Sequence, residues 1–423
     1  TLTAGHTLDT LRLMKLWMRI LIGSVIGIVL GLYLPLAGGD SLGVFRRITE
    51  IVVSVGRYGV FPLVFFGVAV ALLELRQDRT TGTTYGKAAI TMVAATGAMV
   101  VVGTLAVLLL APRRIPPIFQ EARVPVLPTI PDLLLDVFPP NFFAIFAQTG
   151  SYLLPVTVGA VLLGLVLYTE GSAVLPASDV TDAAAQVFYR LNSWIVEALA
   201  VGLIAVAAYY VLQLRSVNDL QLFIPLVLVA TGICGFFVLI VLPGLVYLLG
   251  DRYNPFAWLY GLITPALLAF FSGNSYFAFG ALTKVSKENY GISRSVAAPT
   301  LTMATIFAKS GSALVIAASF LTVLRSYTAL EITVPQVLLV MLLSFSVSFL
   351  LGSVPGATVL VGVSVLARVF GQGIEEIYLI LFPALPILTG LAVLTDTAVA
   401  AFIAFMTAQF ERKRRIVDVI DFV

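Results

Sequence analysis

Runs of about 20 mostly apolar residues recur along this chain, and that length matches a bilayer's hydrocarbon core crossed as a helix. No other feature constrains the fold as strongly. A segment in lipid must satisfy every backbone polar group internally, so such runs fold as helices. In the first half they fall at residues 16–36, 48–75, 87–110, 151–167, 187–212 and 222–249. Composition agrees: 60% of the 423 residues are hydrophobic and 11% charged, against roughly 25% charged in a soluble domain. Mean hydropathy is +1.04. The sequence predicts an all-α integral membrane protein.

Basic residues sit at the ends of the runs. Arg12, Lys15 and Arg19 open the first, and Arg412, Lys413, Arg414 and Arg415 follow the last. The positive-inside rule then puts both termini in the cytoplasm of a multi-pass cell-membrane protein with an even number of crossings. The first run is long enough to span and lacks a small-residue cleavage site, so it is expected to stay as an anchor. A net charge of +3, spread over helix ends, gives no nucleic-acid footprint. One cysteine, Cys234, lies in an apolar run, and the one histidine, His6, lies in the polar N-terminal stretch. The sequence offers no disulfide framework, no metal site, no buried histidine relay and no sign of a cofactor. Residues 112–140 carry Pro116, Pro117, Pro125, Pro128, Pro131 and Pro139 and read as an extracytoplasmic loop.

The second half differs. FFSGNSYFAFG at 270–280 and LLGSVPGATV at 350–359 interrupt long apolar stretches with small and polar residues and no charge. Two broken segments in corresponding places point to a transporter of inverted repeats, with re-entrant hairpins meeting near the midplane. Glycine-kinked helices without a ligand are the alternative reading. Between the breaks, 296–324 is interrupted by Lys309, Ser310, Gly311 and Ser312, and the last run, 377–405, holds a single charge, Asp396. The second half reads as hairpin, helix, hairpin, helix.

These residues resemble the dicarboxylate/amino acid:cation symporter family, which includes glutamate transporter homologues. FPPNFFAIFAQTGSYLLPVTVGAVLLGLVL around Pro139 looks like its proline-asparagine loop and following helix, and LTKVSKENYGIS (282–293) like the segment after its first hairpin. ATIFAKSGSAL (304–314) falls at its unwound segment, and SVPGA (353–357) resembles its second hairpin tip. The resemblance implies eight transmembrane helices, two re-entrant helical hairpins and a homotrimer working as an elevator-type symporter. It divides the chain into tails at 1–15 and 411–423, scaffold (trimerisation) helices at 16–86, a transport helix at 87–111, scaffold helices at 112–252 and a transport domain at 253–410, the sixth helix being shared.

The chemistry departs from that family. Anchored on Gly311, its asparagine and aspartate fall on Ala308 and Ser310, with Lys309 in place of a methionine. Anchored on Asp396, its asparagine falls on Ala392, its substrate-binding arginine on Leu388 and its amino-group aspartate on Leu385. The resemblance would add sodium as a coupling ion, but these ligands are depleted, and Thr96 alone remains as a third-helix match. The resemblance and the broken segments together give as substrate-site candidates Ser272, Gly273, Asn274, Ser275, Ser310, Ser353, Val354, Pro355, Gly356, Leu385, Leu388 and Ala392. Lys309 and Asp396 are expected to form a charge pair that substitutes for a bound cation, because lone charges at bilayer depth are costly. Arg57 and Glu197 read either as snorkelling or paired charges or as transport residues. The expected function is secondary transport of a small organic solute, neutral rather than acidic. A non-coupled channel or membrane sensor on the same fold is the alternative, and an enzyme using Lys309 lacks companion groups.

Overall fold

The computed structural model describes residues 14–34, 41–110, 112–115, 137–139, 141–147, 153–217, 220–327, 332–371 and 377–422. Most of the proline-rich loop expected at 112–140, His6 and nearly all of the N-terminal tail lie outside the described residues.

The first half folds into α1 (Leu16–Tyr33), α2 (Ser41–Tyr58), α3 (Val60–Gln77), α4 (Thr81–Leu110), α5 (Leu154–Thr169) and α6 (Leu175–Arg215). It continues with α7 (Ile224–Phe236) and α8 (Leu242–Leu249), joined by a π-helical turn at Phe237–Val241. Proline stands in the first turn of α5, α6, α7 and α8, where its missing N–H costs nothing. α6 packs along α1, α2 and α3. A glycine stripe on α1 allows that approach: a Cβ at Gly23, Gly27 or Gly31 would stand 2.4, 2.5 or 2.7 Å from α6 carbonyl oxygens. Small residues at this spacing are how helices associate closely in lipid.

The second half holds two helical hairpins. Hairpin 1 is α9 (Pro255–Ser272) and α10 (Ser275–Glu288), and hairpin 2 is α13 (Val334–Ser348) and α14 (Thr358–Phe370). Between them α11 (Arg294–Phe307) and α12 (Ser310–Tyr327) form one helix broken at Ala308 and Lys309, and α15 (Leu385–Phe410) closes the bundle. The Asn254 side chain accepts from Phe256 N–H to start α9, and Thr333 with Gln336 forms a capping box on α13. In an 18-residue apolar stretch of each, 94% of the residues are buried in Arg294–Ser326 and 83% in α15, against 33% in α1 and α4, so the centre of the molecule is α11, α12 and α15. α4 packs on α12, and hairpin 1 meets α1, α2 and α6.

Eight helices are long and apolar enough to cross a membrane among the described residues. The number agrees with expectation, but the set does not. The run at 151–167 gives only the 16-residue α5, while α9, expected as a re-entrant arm, reaches 18 residues. Length alone cannot separate a hairpin arm from a span.

The stretch after Phe410, expected as a cytoplasmic tail, is folded against one end of the bundle. Arg415 N–H donates to the Gly291 carbonyl at 2.9 Å, and Ser293 N–H to that of Lys413 at 3.0 Å. The Arg414 guanidinium lies 4.1 Å over the Tyr253 ring and 4.5 Å over Phe405. Burial there pushes Arg414 below its ordinary value. Lys413 reaches Asp78 at 2.6 Å, and Lys15 reaches the Ile420 carbonyl at 2.7 Å. Stacked rings and backbone acceptors hold a segment that charge counting alone leaves in solvent.

Candidate functional site

Both hairpins turn on residues chosen for backbone reasons. Gly273 ends α9 in the left-handed region, at φ +58, and Asn274 opens α10 by accepting from Tyr276 and Phe277 N–H at 3.0 and 3.3 Å. The Ser272 hydroxyl donates to the Leu268 carbonyl at 2.6 Å and accepts from Asn274 N–H at 3.1 Å. In hairpin 2, Leu351–Ser353 forms a 3-10 turn, Ser353 donates to the Leu350 carbonyl at 3.0 Å, and Gly356 has φ +98. The two tips touch. Asn274 Nδ2 donates to the Pro355 carbonyl at 3.5 Å, the Tyr276 phenol donates to the Gly352 carbonyl, and a Cβ at Gly356 would stand 3.6 Å from the Gly273 carbonyl oxygen.

Where the tips meet, a cavity of about 290 Å³ opens between Ser272, Gly273, Gly356 and Ala357 on one side and Thr49, Tyr209, Tyr210 and Gln213 of α2 and α6 on the other. Phe271, Leu360, Phe382, Leu385, Pro386 and Thr389 complete the lining, which contains no charged side chain. Its volume is at the lower end for small-molecule sites, and its mix of apolar walls with a few hydroxyls is typical of them.

The expected substrate residues divide three ways. Ser272, Gly273, Gly356 and Leu385 line this cavity. Asn274, Ser353, Val354 and Pro355 build the tips. Ser275, Ser310, Leu388 and Ala392 do not line it and are buried, the last two wholly within the apolar core. The Ser310 hydroxyl instead shares a 2.7 Å hydrogen bond with Thr96, which also bonds its own helix at Met92. Sequence reasoning missed the α2 and α6 wall and Thr389. Only Gln213 and the tandem tyrosines in an apolar helix hinted at it.

Lys309 and Asp396 come to one place without touching. Each is almost fully buried, at 1% and 3% exposure, and both line a small cavity of about 10 Å³ with Ser275, Thr305 and Thr397. The direct charge pair expected from the sequence is absent from the ion pairs within 4.0 Å among the described residues. Each charge has found a nearer partner. Lys309 Nζ donates to the Ser275 hydroxyl at 2.8 Å, while Asp396 accepts from Ser312 N–H at 3.0 Å and from the Ser312 hydroxyl at 2.6 Å. The cavity they line is about the size of one water. The ammonium therefore links hairpin 1 to the broken helix, and the carboxylate caps the start of α12, where the helix dipole favours negative charge.

Glu197 of α6 pairs with the buried Lys284 of α10 at 2.9 Å. Arg294 joins Glu74 and Asp182. Arg57 is half-buried, and Cys234 is a buried free thiol. No group of three or more metal-ligating side chains occurs among the described residues. A second cavity, about 520 Å³, lies between α3 and α6 on one side and α10 and α11 on the other, with Tyr189, Arg190, Lys287 and Arg294 in its lining.

Comparison with known proteins fits this geometry. The model of the sodium:dicarboxylate symporter family matches residues 16–410. The chain is 26% identical over 236 residues to neutral amino acid transporter A of Bos taurus, covering 55% of this chain and 43% of that protein. It is 26% identical over 171 residues to neutral amino acid transporter B(0) of Oryctolagus cuniculus (40% and 31% covered), and 29% identical over 174 residues to that of Mus musculus (39% and 30%). The matches thus span less than half the length of these relatives. The family and these relatives are membrane transporters and not enzymes. With two opposed hairpins, a broken central helix and a match over nearly its whole length, the chain belongs to the sodium:dicarboxylate symporter family.

Proposed function

We propose that this protein is an elevator-type secondary transporter that binds a small neutral organic solute in the cavity at the hairpin tips. The observation that carries this is the lining: uncharged, with a few hydroxyls and an amide, and contributed by the two hairpin tips, by α2 and α6, and by residues 382–389. With leucine at 385 and no charged side chain in the lining, nothing in the cavity can clamp an acidic substrate. Neutral amino acids, named in the relatives, are the first class to test.

In this reading α4 with residues 253–410 is the moving part, carried past a scaffold of α1, α2, α3, α5 and α6, with the tip at 353–357 as the gate. The 520 Å³ cavity beside hairpin 1 gives that part room to slide. Both termini face the cytoplasm of the cell membrane, consistent with the basic end that carries Lys15, Lys87, Arg294 and Lys413. The homotrimer rests on family membership. Lys309 supplies the positive charge that a cation would otherwise bring, so sodium coupling is weak or absent. Sodium needs several hard oxygen ligands, and Ala308 and Ala392 offer no side-chain oxygen.

Thermal shift of the purified protein tests this, since a ligand that binds only the folded state raises the melting temperature. L-Alanine, L-serine, L-leucine or L-phenylalanine should stabilise it, L-glutamate and succinate should not, and replacing sodium by choline should change little. Stabilisation by succinate that requires sodium would overturn the reading.

A further inference from the structure

The cavity of about 520 Å³ between α3, α6, α10 and α11 has a basic mouth and an apolar wall. Lys287 lies in the last turn of α10, and Arg294 opens α11. Phe279 and Thr302, further in, each lie eight residues along those helices, a rise of about 12 Å. Leu63, Gly67, Phe279 and Ala298 supply most of the apolar wall. Thr283 and Thr302 turn their hydroxyls to carbonyls of their own helices, at 3.0 and 2.7 Å. At the mouth Arg190 and Lys287 are exposed, and neither has a carboxylate within 4.0 Å among the described residues. The Lys287 ammonium stands 3.8 Å over the ring of Tyr189, which also lines the cavity. Arg294 is held by Glu74 and Asp182, and Glu288 accepts from the Tyr189 phenol at 2.8 Å. Arg415 adds a further charge that repels Lys287. Arg190, Lys287, Arg294 and Arg415 thus outnumber Glu74, Asp182 and Glu288, and the mouth keeps a positive excess.

We propose that this cavity binds an anionic phospholipid, with its phosphate on Arg190 and Lys287 and an acyl chain against Leu63, Phe279 and Ala298. A guanidinium and an ammonium both make charge-assisted hydrogen bonds to phosphate oxygens. Basic pockets between membrane helices suit anionic headgroups for that reason. A soluble anion would leave the apolar wall facing water, and a zwitterionic lipid would bring no net charge to the mouth. The lining comes from α3 and α6 on one side and α10 and α11 on the other. A lipid seated there ties the scaffold to the moving part and slows transport. That consequence rests on the elevator reading, whereas the binding does not.

The purified parent is titrated with phosphatidylglycerol, phosphatidylcholine and soluble glycerol phosphate, and binding is read as a rise in melting temperature. Phosphatidylglycerol should stabilise it and the other two should not. In the double variant Arg190→Gln with Lys287→Gln, the phosphatidylglycerol needed for half the shift should rise roughly thirtyfold, as two basic residues lost from a headgroup contact imply. Arg113→Gln with Arg114→Gln removes the same charge from exposed positions elsewhere and should leave the titration unchanged. Gly67→Leu fills the apolar wall, where an added Cβ meets only Ala298 at 3.7 Å, and should weaken the shift as well. A shift that the double variant or Gly67→Leu leaves intact, or that glycerol phosphate reproduces, would overturn the site, as would a parent that phosphatidylglycerol does not stabilise. In vesicles, replacing part of the phosphatidylcholine by phosphatidylglycerol should slow counterflow by the parent severalfold and spare the double variant. Counterflow indifferent to phosphatidylglycerol, with the melting shift intact, would overturn the brake and count against the elevator reading while leaving the binding site in place.

Discussion

Lys309→Met and Asp396→Asn should each lower the melting temperature of the purified protein, and the double variant should lose less than the sum. Both side chains are buried in the most enclosed part of the molecule and line one cavity of about 10 Å³. With both present the pocket is neutral overall. Removing one leaves the other as an uncompensated buried charge, which costs about 3–5 kcal/mol in buried pairs generally. Asp396→Asn should be the worse single change. It strands the ammonium, which among the described residues donates to the neutral Ser275 hydroxyl. Lys309→Met leaves the carboxylate its two donors on Ser312. Because the groups do not touch, a coupling of about 1–3 kcal/mol is expected. A double-mutant cycle read by thermal unfolding measures it, and strictly additive losses would mean that the two charges do not sense each other.

Gly311→Ala should be nearly as damaging, for steric rather than electrostatic reasons. A Cβ at Gly311 would stand 2.4 Å from the Thr395 Cβ and 2.6 Å from the Ala392 carbonyl oxygen. Both obstacles belong to α15, one of them is backbone, and neither can swing aside. α12 must shift, and with it Ser310 and Ser312, which hold Thr96 and Asp396. Overpacking of this kind costs about 1–3 kcal/mol, or more where backbone is involved. Gly232→Ala is the control, because nothing lies within 4 Å of the Cβ it would add. A melting temperature for Gly311→Ala equal to that of the control would show that α12 and α15 do not pack as described.

The architecture was legible because lipid allows so few solutions. Apolar runs of spanning length mark helices, and the sequences around Gly273 and Gly356 mark breaks that a plain span has no reason to contain. Lys309 and Asp396 stood out as charges in apolar helices, and the structure does bring them to one cavity. Their hydrogen bonds were not legible. Whether an ammonium reaches a carboxylate or a nearer serine depends on packing distances of a few ångströms, which charge and spacing do not encode. Leu388 and Ala392 come from the family resemblance anchored on Asp396, but α15 turns them into the core and presents Leu385 and Thr389 to the cavity. The α2 and α6 wall was hidden for a different reason. Thr49, Tyr209, Tyr210 and Gln213 are far in sequence from either tip and become a site only when hairpin 1 packs against them.

Counterflow in sodium-free proteoliposomes tests the central claim most directly. Vesicles loaded with an unlabelled neutral amino acid that stabilises the protein should take up the labelled form transiently above equilibrium, saturably and with little change when sodium is restored. Glutamate and succinate should not drive this exchange. Uptake that does not saturate and never overshoots would identify a channel, and exchange that requires sodium and prefers succinate would contradict a neutral site with a built-in cation.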